Sequence, residues 1–201
     1  MEKKILITGA SGLLGRELVG IFQEKGFEVL AHYAHHRPRR VPRVRWLRGD
    51  FRTLSGISRF LRRNRVSLQK THYLVNNYGP ITHRAVKDLR GRDILEDFSR
   101  NVLPAFEITR HLLEGEDLKV VVNILFEGAE RIRAYRNILS YALAKHSLLI
   151  VTKSLSRAYR ATRFENLFIP PLTGAKIPGP RGASRSPVEM AREVFRRTGE
   201  T

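Results

Sequence analysis

The chain has 201 residues and no cysteine, with 42% hydrophobic and 28% charged residues, a balance that supports a packed core without disulfide or thiolate–metal staples. No apolar stretch approaches the roughly 20 residues needed to span a bilayer, and the run Ile5–Ile7 behind Lys3 and Lys4 breaks into a glycine turn too early for a secretory leader, so the expected compartment is the cytoplasm. The formal net charge is +18, but the 37 lysines and arginines are spread along the chain, densest at Arg37–Arg48 and Arg59–Arg65; this reads as a basic surface with a patch for a small anion, and a nucleic acid is not the expected partner.

Taken in order, Lys3–Thr8 is a short apolar run ending at a glycine and reads as a buried strand. Leu13, Leu14, Leu18, Val19 and Phe22 recur at helical spacing, closed by Gly26. Phe27–Tyr33 and Val44–Leu47 are the next two strands, and Leu54, Ile57, Phe60 and Leu61 mark a second amphipathic helix. His72–Asn76 is a fourth strand. Arg92–Leu113 reads as a long helix with Ile94, Leu95, Phe98, Val102, Phe106 and Ile108 on or near one face. Pro104 cannot donate to the carbonyl of Arg100, which predicts a kink there. Leu118–Phe126 is a fifth strand, Ile138–Ala161 another long helix and Glu165–Ile169 a sixth strand; a Pro- and Gly-rich loop, Pro170–Pro187, leads to a last helix, Val188–Arg197. Strand and helix alternate throughout. The expected fold is therefore α/β, a doubly wound parallel sheet of about six strands with helices on both faces, formed as one domain over residues 1–201.

Thr8-Gly9-Ala10-Ser11-Gly12-Leu13-Leu14-Gly15 falls between the first strand and the first helix. Glycines there permit a tight turn and a close backbone approach, and the helix N-terminus behind them offers N–H groups and a favourable dipole to a pyrophosphate. Gly9, Ser11, Gly12, Leu13, Leu14 and Gly15 are thus candidate dinucleotide contacts in a Rossmann-type fold. The spacing of Gly9, Gly12 and Gly15 resembles the dinucleotide turn of the short-chain dehydrogenases/reductases. It is nearer to their extended, sugar-nucleotide branch, since the main branch usually has glycine where Leu13 stands.

An acid at the end of the second strand would bind the ribose 2′-hydroxyl and favour NAD. Here the strand end reads Ala31-His32-Tyr33-Ala34-His35-His36-Arg37, without an acid. Arg37, with Arg39, Arg40 and Arg16 nearby, suits a 2′-phosphate, so the expected cofactor is NADP(H) over NAD(H). The three histidines have no acidic neighbour and no regular ligand spacing, and no metal is expected. Gly49-Asp50 resembles the family's turn in which the Asp contacts the adenine ring.

Asn76-Asn77-Tyr78-Gly79 resembles the Asn-Asn-Ala-Gly signature of the main branch, with Tyr78 for alanine. The resemblance implies that Asn77, Tyr78 and Gly79 border the cofactor. Asn101 matches the asparagine that, in the family, bends its helix and holds a water linked to the catalytic lysine. Pro170-Pro171-Leu172-Thr173 loosely resembles the loop at the nicotinamide amide, which makes Pro170 and Thr173 candidate contacts.

Tyr141 and Lys145 are four apart on a predicted helix and share a face. A free phenol, with a pKa of about 10, is a poor acid–base group near neutrality. A neighbouring ammonium favours phenolate, so Tyr141 can exchange a proton with a carbonyl oxygen while hydride moves to or from the cofactor. The spacing alone recurs by chance. Its place after the fifth strand, in Ser140-Tyr141-Ala142-Leu143-Ala144-Lys145, matches the family, and the resemblance implies that Lys145 also holds the nicotinamide ribose.

The family's serine or threonine, about a dozen residues before the tyrosine, has no counterpart: neither residue type occurs from Ile124 through Leu139. Ser140 points about 100° away from Tyr141 on a helix, and Tyr78 is the first other donor to consider. The usual substrate-covering helices and seventh strand are also missing. Dihydropteridine-reductase-like members lack the serine too, so a pteridine-like ring joins carbonyls and imines as an expected small-molecule substrate. The expected function is that of an NADP(H)-dependent oxidoreductase, the alternative being a non-catalytic NADP(H)-binding or regulatory protein. The two long helices resemble the family's four-helix dimer surface and imply a homodimer.

Overall fold

The computed structural model describes residues 3–35, 38–174 and 184–200. Among them, strands β1 (Lys4–Ile7), β2 (Glu28–Tyr33), β3 (Val44–Arg48), β4 (Tyr73–Asn76), β5 (Val120–Phe126) and β6 (Arg163–Ile169) form one sheet in the order β3-β2-β1-β4-β5-β6. Every neighbouring pair is parallel. Helices α1 (Leu13–Glu24), α2 (Leu54–Leu68), α3 (Gly91–Asn101), α4 (Leu103–Leu113), α5 (Leu139–Ala158) and α6 (Pro187–Arg197) cover it. This is a Rossmann-type α/β fold.

Strand alternation decides which helix each residue meets. Ile5, Ile7, Val29, Ala31, Val75 and Val122 pack on one face with Leu14, Leu18 and Phe22 of α1 and with Met190, Val194 and Phe195 of α6. Leu6, Leu30, Leu74 and Val121 point the other way, onto Ile57 and Phe60 of α2 and Ile108 and Leu112 of α4. Both faces are buried, so the strands read as unbroken apolar runs rather than as alternations. The chain leaves β1 toward β2 and β3, then returns to lay β4 on the other side of β1. That reversal opens a crevice at the carboxyl ends of β1 and β4, where ligands of such sheets bind.

The expected long helix over 92–113 is two helices. The two helices meet at Val102 (φ −102°, ψ −51°), and Pro104 stands in the first turn of α4, where it has no N–H to continue the ladder. The inner face of α3 also differs from the expectation. Asp93, Asp97 and Asn101, one turn apart, are its buried residues, whereas Leu95 is 72% exposed and Phe98 39%. Periodicity identifies an amphipathic helix without fixing which side meets the protein. Here the polar side is inward, since each of the three residues ties down the segment that follows β4.

Candidate active site

The glycine turn is built against the end of β4. Gly9 adopts φ +64°, and a Cβ there would stand 2.9 Å from the Cα of Tyr78; a Cβ on Gly15 would meet the Gly9 carbonyl at 2.3 Å. Both positions therefore require glycine. Asn77 locks the arrangement by donating its Nδ2 to the carbonyls of Thr8 and Gly9, each at 3.0 Å, and the Tyr78 N–H donates to Thr8 Oγ1. Ser11 and Gly12 are exposed and Leu13 half-buried at the mouth of the turn, and among the described residues no side chain caps the first turn of α1. Those free N–H groups and the helix dipole suit an anion. The Leu14 side chain is in the core, so that residue offers only its backbone.

His32 joins this turn to the ends of β2 and β3. Its Nδ1 accepts from the Gly9 N–H at 3.0 Å, and its Nε2 donates to the Gly49 carbonyl at 3.1 Å. The ring stacks on Phe51 with centroids 3.7 Å apart. Burial outweighs its bond to Gly49 and the charge of Asp50, and lowers its pKa to about 4. The imidazole is a neutral structural link.

Beyond it lies a cavity of about 240 Å³ lined by Ala34, His35, Gly49 and Asp50 at the strand ends, by Arg48 and Arg52, and by Arg59 and Arg63 of α2. Asp50 accepts from Arg52 through both oxygens, at 2.7 and 3.0 Å, and from the Arg52 N–H. These bonds hold its pKa near 2. Four guanidinium groups against one carboxylate leave the cavity cationic. Arg37 lies outside the described residues, and Arg39 and Arg40 are exposed.

At the other end of the crevice, α5 presents Tyr141 and Lys145, both buried. Lys145 Nζ donates to the Ile124 carbonyl at the end of β5, at 3.1 Å, and sits 5.6 Å from the centre of the Tyr141 ring. Burial lowers the Lys145 pKa to about 8. Burial first, and the charge of Asp97 second, push the Tyr141 phenol well above its usual range. Asn101, the last residue of α3, donates to the carbonyls of Pro80 and Asp97, while its own Oδ1 is buried without a partner among the described residues. A Cβ on Gly79 would stand 2.7 Å from Lys145 Nζ and 2.8 Å from that oxygen. Glycine at 79 thus lets the amine and the orphan carbonyl face the same small space.

Other candidates are placed differently. The Tyr78 ring lies against Phe51 and His32, on the β2–β3 side of the crevice rather than beside Tyr141. Ser140 donates to Asp97 Oδ2 at 2.5 Å. Thr173 directs both its N–H and its hydroxyl to the Arg185 carbonyl, and Pro170 is buried at the end of β6. Next to Tyr141 stands Phe126, ring centres 5.5 Å apart. A side chain at 128 would run into the Arg133 guanidinium, 2.5 Å from the Cβ position.

Three features of the site escape a sequence reading. His32 and the α2 arginines act across loops, although the i,i+4 spacing of Arg59 and Arg63 marks a shared face. Asp97 precedes Asn101 by one turn, the only local sign that both face inward. Tyr135 faces His146 Nε2 at 3.2 Å across the β5–α5 loop.

The family model for short chain dehydrogenase matches residues 3–171. No curated protein matches the chain. Among solved structures, an alcohol dehydrogenase from the archaeon Thermococcus sibiricus, complexed with 5-hydroxy-NADP, superposes with a TM-score of 0.83 at 16% identity, over 100% of this chain and 92% of that one. A short-chain dehydrogenase/reductase from Serratia marcescens gives 0.80 at 19% identity, over 96% and 88%. A dehydrogenase/reductase from Sinorhizobium meliloti gives 0.80 at 18%, over 96% and 86%.

Proposed function

Because this chain belongs to the short-chain dehydrogenase family, we propose that it is a single-domain, NADP(H)-dependent reductase of a small carbonyl, imine or pteridine-like substrate, with Tyr141 as proton donor. The observation that carries this reading is the meeting of Lys145 Nζ and Asn101 Oδ1 over Gly79, just past the end of β4, with the Tyr141 ring beside that amine. The uncapped N-terminus of α1 and the Gly9–Gly15 cradle fit a pyrophosphate. The cationic cavity at the ends of β2 and β3 fits a 2′-phosphate.

When bound, the nicotinamide supplies the hydride. The chain's residues supply the rest. Tyr141 Oη releases its proton to the substrate oxygen or nitrogen as the adjacent carbon is reduced, so one O–H bond breaks and one new bond to hydrogen forms. Lys145, fixed by the Ile124 carbonyl, puts an ammonium beside the phenolate left behind. Asn101 fixes the chain at Pro80 and aims its free oxygen at the same space, which orders the path by which the phenol regains a proton.

The missing serine narrows the substrate. Losing one oxyanion-type donor commonly costs about 10²–10³ in rate for carbonyl chemistry. A conjugated nitrogen heterocycle or a polarised imine needs that donor less, because charge does not build on one exposed oxygen. Simple ketones are therefore expected to turn over weakly. NADPH and NADH titrations followed by a reductase screen test the proposal. Tight NADPH binding without Tyr141-dependent turnover of any substrate supports the second reading, a binding or regulatory protein, which Phe126 against Tyr141 favours. Ordinary rates with simple ketones refute the serine argument and make Arg133, at the space beside Gly128, the donor to test.

The assembly proposed is a homodimer through the outer faces of α3 and α5. Leu95 and Phe98 on α3 and Leu143 and Ile150 on α5 are exposed, and a second copy would cover them. Light scattering at micromolar concentration checks this, and a monomer refutes it.

A further inference from the structure

At the far edge of the sheet, a second cavity of about 440 Å³ opens between the last turns of α5 and β6. It is lined by Lys153, Ser156 and Arg157 of α5, by Arg160 beyond the helix, and by Phe164 and Asn166 of β6. Among the described residues the three cations have no ion pair, whereas Arg100, Arg110, Arg196 and Arg197 each meet a glutamate. No acid faces the groove. Glu165 lies between Phe164 and Asn166, but it points to the opposite face of the sheet, toward Arg163 and Arg197 at 3.7 and 3.6 Å. Ser147 and Ser154 donate back to carbonyls one turn earlier on α5; Ser156 has no such bond among the described residues. Asn166 is oriented by a buried ladder. Thr152 Oγ1 gives its hydrogen to the Leu148 carbonyl at 2.6 Å, so it accepts from Asn123 Nδ2 at 2.9 Å. The same Nδ2 donates to Asn166 Oδ1 at 3.5 Å, at the shared register of β5 and β6. The Asn166 oxygen is thereby turned inward, and its Nδ2 hydrogens are left for the groove.

We propose that this groove is a second ligand site, for a phosphorylated small molecule that carries a planar ring. Lys153, Arg157 and Arg160 meet the phosphate, Ser156 Oγ and Asn166 Nδ2 donate to it, and the ring lies on Phe164. The volume suits a ligand of that size. Charge-assisted bonds from lysine and arginine are the strong contacts to phosphate. Like charges one turn apart on a helix, as at Lys153 and Arg157, repel each other, and a dianion between them reverses that cost. Arg157 also suits the negative end of the α5 dipole, but that field fades within one turn. Lys153 stands five residues before the end of α5 and Arg160 lies beyond it, so capping does not account for the cluster. Phe164 is half-buried, packed against the α2–α4 core on one side and lining the cavity on the other. Thr152 and Ser156 stand about 200° and 240° round the helix from Ile150, so the groove floor faces away from the proposed dimer surface.

The test reads the groove directly. The nitrogen-15-labelled full chain is titrated with inorganic phosphate and with phenyl phosphate at constant ionic strength, followed by NMR. The side-chain amide of Asn166, assigned by its loss in Asn166→Ala, reports this site; the backbone N–H groups of Ser11 and Gly12 report the glycine turn. Phenyl phosphate should shift the Asn166 amide to saturation, and at lower concentration than inorganic phosphate. Lys153→Ala with Arg157→Ala should weaken both probes at Asn166 by about tenfold or more and leave the Ser11 and Gly12 responses unchanged. Phe164→Leu keeps the position apolar and should bring phenyl phosphate to the affinity of inorganic phosphate. An Asn166 amide that never saturates, or that saturates equally in the double variant, overturns the site. Equal affinities for the two probes in the unchanged protein overturn the assignment of the ring. None of these readings depends on turnover, so a failed reductase screen leaves this inference standing, and a failed titration at Asn166 leaves the reductase reading standing.

Discussion

The two ends of the crevice are built on different terms. At the β1–β3 end, contacts run through the backbone: Asn77 binds the Thr8 and Gly9 carbonyls, and His32 bridges the Gly9 N–H and the Gly49 carbonyl. The charged side chains there line a cavity open to solvent. At the β5–α5 end, the candidate groups are buried side chains: Lys145 with its ammonium desolvated, Tyr141 against Phe126, and Asp97 held by the Thr82 and Ser140 hydroxyls. On the proposed function, the first end is a mould for a ligand whose charge is fixed. The second buries an amine and a phenol away from water, which shifts where both titrate, at a cost to the fold and with a use in proton transfer. The difference teaches that substitutions at the first end should change affinity and stability together, whereas substitutions at the second should trade one against the other.

The sharpest way to break that contrast is Tyr141→Phe. It removes one hydroxyl and keeps the ring against Phe126. Turnover should fall by about 10²–10⁴, the range for loss of a general acid, while NADPH affinity stays nearly unchanged. Fluorescence titration beside steady-state rates checks both. A matching loss of affinity would mean that the two ends are not separable.

Lys145→Met tests the trade directly. In the folded protein this amine releases its proton at about pH 8, against 10.5 for the exposed group. Between those values the unfolded chain binds the extra proton, so stability rises as pH rises from about 8 to 10.5, and below pH 8 the buried ammonium carries its full cost. The substitution should stabilise the cofactor-free protein at neutral pH by on the order of 3 kcal/mol, flatten that rise and abolish turnover. Chemical denaturation at two pH values decides it; a neutral-pH destabilisation refutes the account.

His32 gives the opposite end its own pH signature. Its folded pKa is about 4 against an ordinary 6.5, so as pH falls through that window the unfolded chain takes up the proton first and stability is lost, by on the order of 3 kcal/mol in total. His32→Gln keeps a donor and an acceptor and should be less sensitive between pH 6.5 and 4. Equal acid sensitivity in the two proteins would show that the imidazole is not the link described.

How much of this was legible in the chain depends on the separation of the partners. The glycine turn and the Tyr141–Lys145 pair are local patterns, readable because a tight turn and one helical face each need fixed residues at fixed spacing. So was the break near Asn101, which follows from the missing N–H of Pro104 alone. The orientation of α3 was not readable: an apolar stripe at Leu95 and Phe98 looks like a core face until its neighbours are known. His32 meets Gly9 and Gly49 across 23 and 17 residues, and Asp97 meets Ser140 across 43. No local periodicity reports such contacts, and a histidine at a strand end looks the same whether it is a link, a ligand or solvent-exposed.

The smallest effect expected belongs to the basic cavity, and it bears on whether the mould at the first end reads a phosphate. The sequence pointed to Arg37 and its neighbours after β2, while the cavity itself is lined by Arg48, Arg52, Arg59 and Arg63. Arg52 is committed to Asp50, so its charge is partly cancelled. Arg59 and Arg63, one turn apart on α2, have no ion pair among the described residues and face the cavity together. A charge-assisted hydrogen bond to phosphate contributes roughly 1.5–3 kcal/mol when desolvated and less in an open cavity. Arg59→Ala and Arg63→Ala should therefore each weaken NADPH binding by about tenfold or less, leave NADH binding unchanged, and reduce the salt dependence of the NADPH interaction. Arg37→Ala is the comparison that assigns the phosphate. If it alone separates the two cofactors, the loop after β2 does the reading and the α2 arginines only raise the local potential. If the α2 pair separates them, the cofactor preference resides in a helix face that no strand-end motif would reveal. Equal affinities for NADPH and NADH in the unchanged protein would remove the phosphate from the account altogether.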